Sequence, residues 1–376
     1  MSQKKFLVLG AGMMGRAVAH DLVQSRGRDC LSVIDANAKA CDSLKKWLDI
    51  DVHCLDADDK RMDRHIKDAD AVVVALPYRY NLGFMKKAIA AGAHFCDLGG
   101  NDDIVSSQLA FNAQAKKAGV LCLPDCGLAP GMADVLGAHL ASQFGSVDEL
   151  TIRVGGLPQN PKPPLNYQLV FSVGGLINEY KEKCKVLRNG KITLVDPMEE
   201  VECLEFKGLG QLEAFTTSGG AAWLPEIFRG KIKKLDYKTI RYPGHAVIFR
   251  SILKLGLADE DEIAPGITPR KVLEGQIVKT LSGKDEDLVL VRVTASGRIG
   301  RKKATKNIDI VDRFDRKNNI TAMMRTTAYP TSIIAQMIVD GTIKERGVMT
   351  PEMCVPGDIL MKEMQRRQII SCLTNI

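Results

Sequence analysis

The sequence predicts an α/β fold: a doubly wound parallel sheet at the start of the chain, then an α+β domain built on a mixed sheet. Three observations carry this prediction. Short apolar runs alternate with amphipathic stretches of helix length up to about Pro124, and a Gly-x-Gly-x-x-Gly pattern follows the first of them. After Pro124, strand-like runs dominate and helical patterns become few.

The apolar runs are Phe6–Leu9, Leu31–Ile34, Val52–Leu55, Ala71–Leu76, His94–Leu98 and Val120–Leu123. Most are continuous rather than alternating, which suits parallel strands covered on both faces. Helices predicted over 13–25, 37–48, 59–66, 81–91 and 103–118 supply the right-handed crossovers. Turn formers crowd Pro124-Asp125-Cys126-Gly127-Leu128-Ala129-Pro130-Gly131 and end the repeat, with a helix predicted from Met132. Beyond it, Leu150–Val154, Tyr167–Ser172, Leu235–Arg241 and Leu288–Thr294 read as strands. The basic run Arg298 to Lys306 precedes the apolar Ile308–Val311 and reads as a solvated hairpin tip. Helical pattern returns at Ser332–Val339 and Asp358–Gln368. The expected domains are therefore 1–124, 125–330 and a C-terminal helical segment 331–376.

Composition bounds the function. A chain of 376 residues, 45% hydrophobic and 26% charged, suits two globular domains with sizeable cores. The net charge of +7 is modest, and no basic stripe is interleaved with aromatics, so no nucleic-acid partner is expected. Ten cysteines form neither a C-x-x-C pair nor a Cys/His cluster at zinc spacing, so no metal is expected. Cys54, Cys96 and Cys122 sit in apolar strands, where a free thiol packs as a small hydrophobe, as suits a reducing cytosol. A strand beginning by Phe6 leaves no room for a signal peptide, and no apolar run is long enough for a bilayer. A cytoplasmic protein without a membrane partner is expected.

Gly10-Ala11-Gly12-Met13-Met14-Gly15 lies between a strand and a helix, and Asp35 ends the next strand twenty residues after Gly15. That context makes the pattern a dinucleotide-binding fingerprint. Gly10 permits a tight turn, Gly12 lets backbone amides reach a pyrophosphate, and Gly15 allows close helix–strand packing. The helix N-terminus adds partial positive charge. A carboxylate at Asp35 accepts from ribose hydroxyls and repels a 2′-phosphate, and no arginine follows in Ala36-Asn37-Ala38. NAD is therefore expected as cofactor.

Ligands of open α/β sheets sit outside the C-terminal strand ends. Those ends are Asp35, Asp56 with Ala57, Ala75-Leu76-Pro77-Tyr78, Asp97 and Asp125. Asp56 and Ala57 fall on the adenine side; Tyr78, Asp97 and Asp125 fall on the nicotinamide side. Carboxylates there suit an amine substrate, holding its ammonium or accepting its proton. They equally suit helix caps, and both readings stay open. In the second region, Lys238-Thr239-Ile240-Arg241-Tyr242-Pro243-Gly244-His245 sets an arginine and a histidine around a turn, and arginine is a natural partner for a carboxylate. Ser218-Gly219-Gly220 brings backbone amides to a ligand or is simply a turn. Two cysteines are set aside as nucleophiles. Cys372 lies at the extreme C-terminus, and Cys126 has an acid and no base beside it.

These residues resemble the saccharopine dehydrogenase-like reductases, and among them the L-lysine 6-dehydrogenases most closely. Besides the glycine loop, the resemblance rests on Leu76-Pro77-Tyr78-Arg79-Tyr80-Asn81, Asp97-Leu98-Gly99-Gly100 and Asp125 through Met132. It extends to Val154-Gly155-Gly156-Leu157-Pro158, Phe171-Ser172, Glu213 through Gly220 and the Lys238 to His245 turn. It implies a Rossmann domain, a mixed-sheet domain for substrate binding and homodimerisation, and C-terminal helices returning to the first domain. It also implies oxidation of L-lysine at the carbon bearing the ε-amino group, with NAD as acceptor. Ammonia is released and the semialdehyde cyclises to 1-piperideine-6-carboxylate. By motif position, Tyr78, Asp97 and Leu98 would line the substrate pocket. Ala129, Pro130 and Ser172 would touch the cofactor or the pocket wall, and Arg241 would hold the α-carboxylate. The base is left open between Asp97, Asp125 and His245. Fungal saccharopine reductases carry an acid where Ala129 stands, which favours free lysine. The alternatives are saccharopine or a carboxylated polyamine as substrate, and a non-catalytic NAD-binding sensor.

Overall fold

The computed structural model describes residues 4–221, 223–283 and 285–375. The chain divides into two compact units, Met1–His139 with Met324–Ile369, and Leu140–Met323 with Ile370–Ile376. Residues 125–139 and 324–330, grouped by the sequence with the second domain, thus belong to the first unit.

The first unit holds strands β1 (Phe6–Leu9), β2 (Leu31–Asp35), β3 (Asp51–Cys54), β4 (Ala71–Val74), β5 (His94–Asp97) and β6 (Leu121–Leu123). They lie in the order β6-β5-β4-β1-β2-β3, all parallel, the arrangement of a doubly wound sheet. The central strands β1 and β4 are buried along their whole length, which is why their sequences are uninterrupted in Leu and Val. Leu7, Leu9, Val72, Val74, Phe95 and Met85 form part of one continuous core. The single helix expected over 103–118 is two, Asp102–Leu109 and Asn112–Ala118. The break lets Phe111 pack against the core while Ala115 is buried within it.

The C-terminal segment adds what its sequence hid. Gly347–Val348 forms a seventh strand parallel to β6, too short to carry a pattern. The buried Asp21 carboxylate accepts from Ser332 Oγ at 2.7 Å and from Arg367 Nε at 2.5 Å, so the C-terminal helices are tied to the helix Met13–Arg26. Pairing and hydrogen bonding together are what keep such a charge tolerable inside a protein.

The second unit is a mixed sheet. Its strands are β7 (Ser146–Pro158), β8 (Cys184–Arg188), β9 (Lys191–Val195), β10 (Glu202–Phe206), β11 (Gly210–Thr216), β12 (Lys234–Arg241), β13 (Asp287–Ile299) and β14 (Lys302–Arg313). The order is β10-β11-β12-β7-β13-β14, with the C-terminal strand Ser371–Asn375 beyond β14 and the β8–β9 hairpin attached to β12. β12 and β7 are parallel, and every other pairing is antiparallel. The basic run lies on the β13–β14 hairpin, whose strands close to within Gly300 and Arg301 at the tip.

One strand expectation fails. Tyr167–Ser172 has no ladder: Leu169 N donates to Leu281 O at 2.9 Å, and Ser172 caps the helix Val173–Lys181 by accepting from Gly175 N at 3.1 Å. Tyr167 is instead buried with Leu176, Tyr180, Phe215 and Phe249 in a core on this unit. Burial of an aromatic ring outweighs the modest strand preference of the run. The helix expected at Ser332 starts ten residues earlier, at Ala322, because Asp287 accepts from the Ala322 and Met323 amides at 2.7 and 2.9 Å. Among the described residues no helix is long and apolar enough to cross a membrane, and no group of three or more side chains could hold a metal ion.

Candidate active site

The glycine loop is built by close approach. Gly10 has φ 110°, in the left-handed region, and its amide donates to Ile34 O at 2.7 Å. A Cβ on Gly15 would stand 1.8 Å from Gly10 O, so only hydrogen lets the helix Met13–Arg26 come this close to the turn. Gly12 differs: a Cβ there would meet nothing within 4 Å. It is the N-cap residue, no side chain caps the helix, and Met13 and Met14 leave its mouth open, Met13 being 55% exposed. Uncapped first-turn amides facing open space fit a pyrophosphate.

Asp35 fastens this loop. Its Oδ2 accepts from Ala11 N at 2.6 Å and its Oδ1 from Asn37 N at 2.7 Å. The neighbouring strand end carries Asp56, whose Oδ1 accepts from Asp58 N at 3.2 Å, and the half-buried Ala57. On the other side, Ala75 N donates to Leu9 O at 2.7 Å and the Ala75 carbonyl crowds Gly10. Leu76 and Pro77 then lead into a single 3₁₀ turn, Tyr78–Tyr80, with Tyr78 45% exposed.

The carboxylates that follow are unequal. Asp97 is fully buried and both its oxygens are engaged: Oδ1 accepts from Gly99 N at 2.9 Å and Asp125 N at 3.0 Å, Oδ2 from Gln108 Nε2 at 2.7 Å. It acts as a clamp between two loops. Asp125, at φ 60°, accepts from Gly100 N at 3.3 Å with Oδ1 alone, and Oδ2 has no donor among the described residues. Burial, reinforced by the nearby Asp97 and Glu352, holds its pKa well above the usual carboxylate range. Tyr78, Leu98, Asp125 and Pro130 converge here: sites beside Gly99 and Gly100 reach Asp125, Pro130 and Tyr78, and Gly127 packs on Leu98 O. The Ala129–Pro130 peptide is cis, and both residues are half-buried. Asp134, missed from sequence, accepts from Gly131 N at 2.7 Å with Oδ2, while its buried Oδ1 has no partner. Cys126 is fully buried and burial pushes its thiol up, so it holds no thiolate.

The second unit contributes a polar box with aromatic walls. Arg241 is 2% exposed; its Nε donates to Tyr180 Oη at 2.9 Å and its Nη1 to Ile240 O at 2.9 Å. The guanidinium lies over the Tyr167 ring, 4.6 Å from its centroid. His245, 1% exposed, has both nitrogens engaged, Nδ1 with Leu165 O at 3.1 Å and Nε2 with Tyr180 Oη at 3.2 Å. Burial, with Arg241 nearby, lowers its pKa to about 3, so it is neutral. Ser172 caps the helix that carries Glu179 and Tyr180. Ser218 donates its amide to Glu179 O at 3.0 Å and its hydroxyl to Glu182 at 3.2 Å, and Gly220 N donates to Ser218 O. Two of the three amides of that turn are therefore already engaged, one by the helix Val173–Lys181 and one within the turn.

The structure brings together Tyr78, Leu98, Asp97, Asp125, Ala129 and Pro130 in the first unit; in the second, Arg241 and His245 meet at Tyr180 and Ser218 bonds to Glu179 O, while Ser172 lies exposed at the other end of their helix. Sequence reasoning missed Glu179, Tyr167 and Tyr180. The available signal was Ser172, a good N-cap residue directly before their helix.

Comparison with known proteins accords with this layout. A model described as the saccharopine dehydrogenase NADP binding domain matches residues 6–123, and one described as the saccharopine dehydrogenase C-terminal domain matches 127–370. The saccharopine dehydrogenase [NADP(+), L-glutamate-forming] of Pyricularia oryzae is 21% identical, covering 99% of this chain and 99% of its own length. The carboxyaminopropylagmatine dehydrogenase of Synechocystis is 22% identical over 95% of this chain and 94% of its own. Among solved structures, apo saccharopine dehydrogenase (L-Glu forming) from Saccharomyces cerevisiae superposes with a TM-score of 0.83 at 17% identity, over 99% of this chain and 100% of that one. The two share a fold.

Proposed function

The chain belongs to the saccharopine dehydrogenase family, and from that membership and the site geometry we propose a pyridine-nucleotide-dependent dehydrogenase that oxidises a C–N bond of an amino acid, with saccharopine or a related carboxylated secondary amine as substrate. The observation that carries this reading is Arg241, a buried guanidinium held by Tyr180 and Ile240 whose Nη2 has no acceptor among the described residues. A carboxylate is its natural complement. The full-length likeness to dehydrogenases named for saccharopine and carboxyaminopropylagmatine supports a carboxylated amine.

A nucleotide held by Gly10, Gly12, Gly15 and Asp35 would supply the acceptor for a hydride leaving the carbon that bears the amine. The substrate thereby becomes an imine; water adds to the imine carbon and the C–N bond breaks, leaving an aldehyde and an amine. Asp125 is the group with an oxygen left unengaged to take and return the protons, since both oxygens of Asp97 and both nitrogens of His245 already have partners. Asp35 favours NAD, its carboxylate opposing a 2′-phosphate. Exposed Val247, Leu255, Ile263 and Val272 on the second unit suit a homodimer. The free cysteines suit a reducing compartment.

A second reading, L-lysine 6-dehydrogenase, is favoured by Ala129, where fungal saccharopine reductases carry an acid. One experiment separates the readings: NADH or NADPH formation by purified protein given saccharopine, carboxyaminopropylagmatine, L-lysine and L-ornithine in turn. Turnover of either secondary amine supports the first reading, and turnover of lysine alone moves the assignment to the second. No turnover of any overturns the enzyme and leaves a nucleotide-binding sensor.

A further inference from the structure

Asp125 stands in a left-handed backbone conformation, φ 60°, which a non-glycine residue keeps only where its surroundings determine it. One residue holds both peptide groups that flank it. Asp125 N donates to Asp97 Oδ1 at 3.0 Å, and Cys126 N donates to Asp97 O at 2.8 Å. Asp97 Oδ1 also takes Gly99 N at 2.9 Å, and the next amide, Gly100 N, donates to Asp125 Oδ1 at 3.3 Å. The direction of the Asp97 carboxylate therefore fixes both the backbone of Asp125 and the loop that grips its side chain.

Gln108 aims that carboxylate. It lies on the helix Asp102–Leu109, is fully buried, and donates from Nε2 to Asp97 Oδ2 at 2.7 Å. Its own Oε1 is buried and has no hydrogen-bond partner among the described residues. Buried polar atoms are nearly always satisfied, so an unmet one marks a place where another demand prevails. Turned the other way, Oε1 would find a partner in Asp97 only if Asp97 carried a proton. The amide is thus set to serve an ionised Asp97. Methionine would fill nearly the same volume without the unmet carbonyl, so packing alone does not ask for glutamine here.

We propose that Gln108 is a positioning residue for Asp125 and acts through Asp97. By fixing Asp97 Oδ2 it keeps Oδ1 on the amides of Gly99 and Asp125, and Asp125 is then held with Oδ1 engaged and Oδ2 left for a proton. This rests on the reading of Asp125 as the proton-carrying group, and adds the residue that keeps it in place. Charge follows the same route. Burial raises the pKa of Asp97 and the Gln108 bond lowers it, while Asp97 in turn raises that of Asp125. The other titratable groups near Asp125 are Glu352, Asp102, Asp134 and Cys126. Without the Gln108 donor, Asp97 takes up a proton more readily and Asp125 gives one up more readily.

The test is a thermal double-mutant cycle on the full chain: wild type, Q108M, D125N and the double variant, melted from pH 5 to pH 9. It needs neither substrate nor nucleotide. Because the folded pKa of Asp125 is raised, its contribution to stability is present below the unfolded value of about 3.9 and is lost as pH rises through the folded value. The melting temperature of D125N relative to wild type should therefore climb with pH and level off once that value is passed. In the Q108M background the climb should level off about one pH unit lower. A merely structural glutamine would lower all the melting temperatures and leave the climb unmoved. Turnover is read alongside, with whichever amine wild type oxidises. Q108M should lower kcat roughly tenfold to a hundredfold with little change in KM. Q108E, whose protonated carboxyl donates to Asp97 Oδ2 as the amide does, should recover kcat at pH 6 and lose it again at pH 9. Q108L replaces Q108M if the latter does not fold. A climb of the same course in both backgrounds overturns the route through Asp97, and a Q108M enzyme with wild-type kcat overturns the positioning role. If D125N itself keeps wild-type kcat, the reading of Asp125 as proton carrier is overturned, while a shifted climb still upholds the coupling of Gln108 to Asp125.

Discussion

The two inner glycines of the nucleotide loop should fail in different ways when each is replaced by alanine. At Gly15 the new Cβ would lie 1.8 Å from Gly10 O and 2.7 Å from Gly10 C, well inside contact distance, and both are backbone atoms that no rotamer change can move aside. Overpacking of an ordinary core position costs about 1–3 kcal/mol, and a backbone clash this deep belongs at the upper end or beyond. At roughly 2–4 °C per kcal/mol for a unit of this size, Gly15→Ala should lower the melting temperature by about 6–12 °C. At Gly12 the Cβ meets nothing, and φ is −68°, ordinary for alanine. Stability should change by less than about 1 kcal/mol. The methyl would instead occupy the space through which the first-turn amides reach a phosphate. Losing one charge-assisted hydrogen bond is worth about 1.5–3 kcal/mol, or roughly tenfold to a hundredfold in affinity. Thermal melts with and without NADH, alongside NADH titration by fluorescence, separate the two effects. A Gly12→Ala protein that binds NADH as tightly as wild type would refute the placement of the pyrophosphate.

Three further changes test the carboxylates. Asp35→Ala should weaken NAD binding and relax discrimination against NADP, seen as a fall in the ratio of the two dissociation constants; an unchanged ratio removes Asp35 from cofactor choice. Asp125→Asn suits the left-handed backbone at that residue, since asparagine tolerates it, and should fold normally while kcat falls about 10²- to 10⁴-fold; retained kcat means the protons travel elsewhere. Asp134→Asn keeps an acceptor for Gly131 N and removes a buried charge that burial and Glu352 disfavour. Because the folded pKa of Asp134 is raised, its contribution to stability is present below the unfolded value of about 3.9 and is lost as pH rises through the folded value. The melting temperature of Asp134→Asn relative to wild type should therefore climb from pH 5 to pH 8, and a difference that stays flat would show Asp134 to be ionised in the fold.

Much of the first unit was legible because its signals are local. Strand, glycine spacing, helix and Asp35 fall within about thirty residues, and each constrains the next. The strand ends could be located in the same way, but the use of each carboxylate could not. What removes Asp97 from the list of free groups is the company of Gly99, Gln108 and Asp125, and the last of these comes from another strand end. His245 stands beside Arg241 in a turn that reads as polar; the rings that bury it, Phe215, Tyr180 and Phe249, come from three separate elements. Glu179 was hidden by a local ambiguity. Tyr167–Ser172 has strand-like content, and Gly174 and Gly175 weaken the helix pattern that follows, so the run drew attention away from the cap at Ser172.

His245 nonetheless has work to do, and hydrogen-bond direction shows what it is. The Leu165 carbonyl can only accept, so Nδ1 carries the imidazole proton and Nε2 is the acceptor. The Tyr180 hydroxyl therefore donates to Nε2, which leaves its oxygen lone pairs turned toward Arg241 Nε. A protonated imidazole would reverse that order, presenting a donor to Tyr180 and a second positive charge to Arg241. Burial, with Arg241 nearby, keeps the ring neutral down to about pH 3 and so keeps the chain pointing one way. With Nε fixed by Tyr180 and Nη1 by Ile240 O, the guanidinium plane is set and Nη2 is the donor left over. His245 thus orients Arg241 through Tyr180, and both its ring nitrogens are engaged in doing so. Its neutrality is the condition under which a buried arginine can be aimed at a ligand rather than consumed by its surroundings.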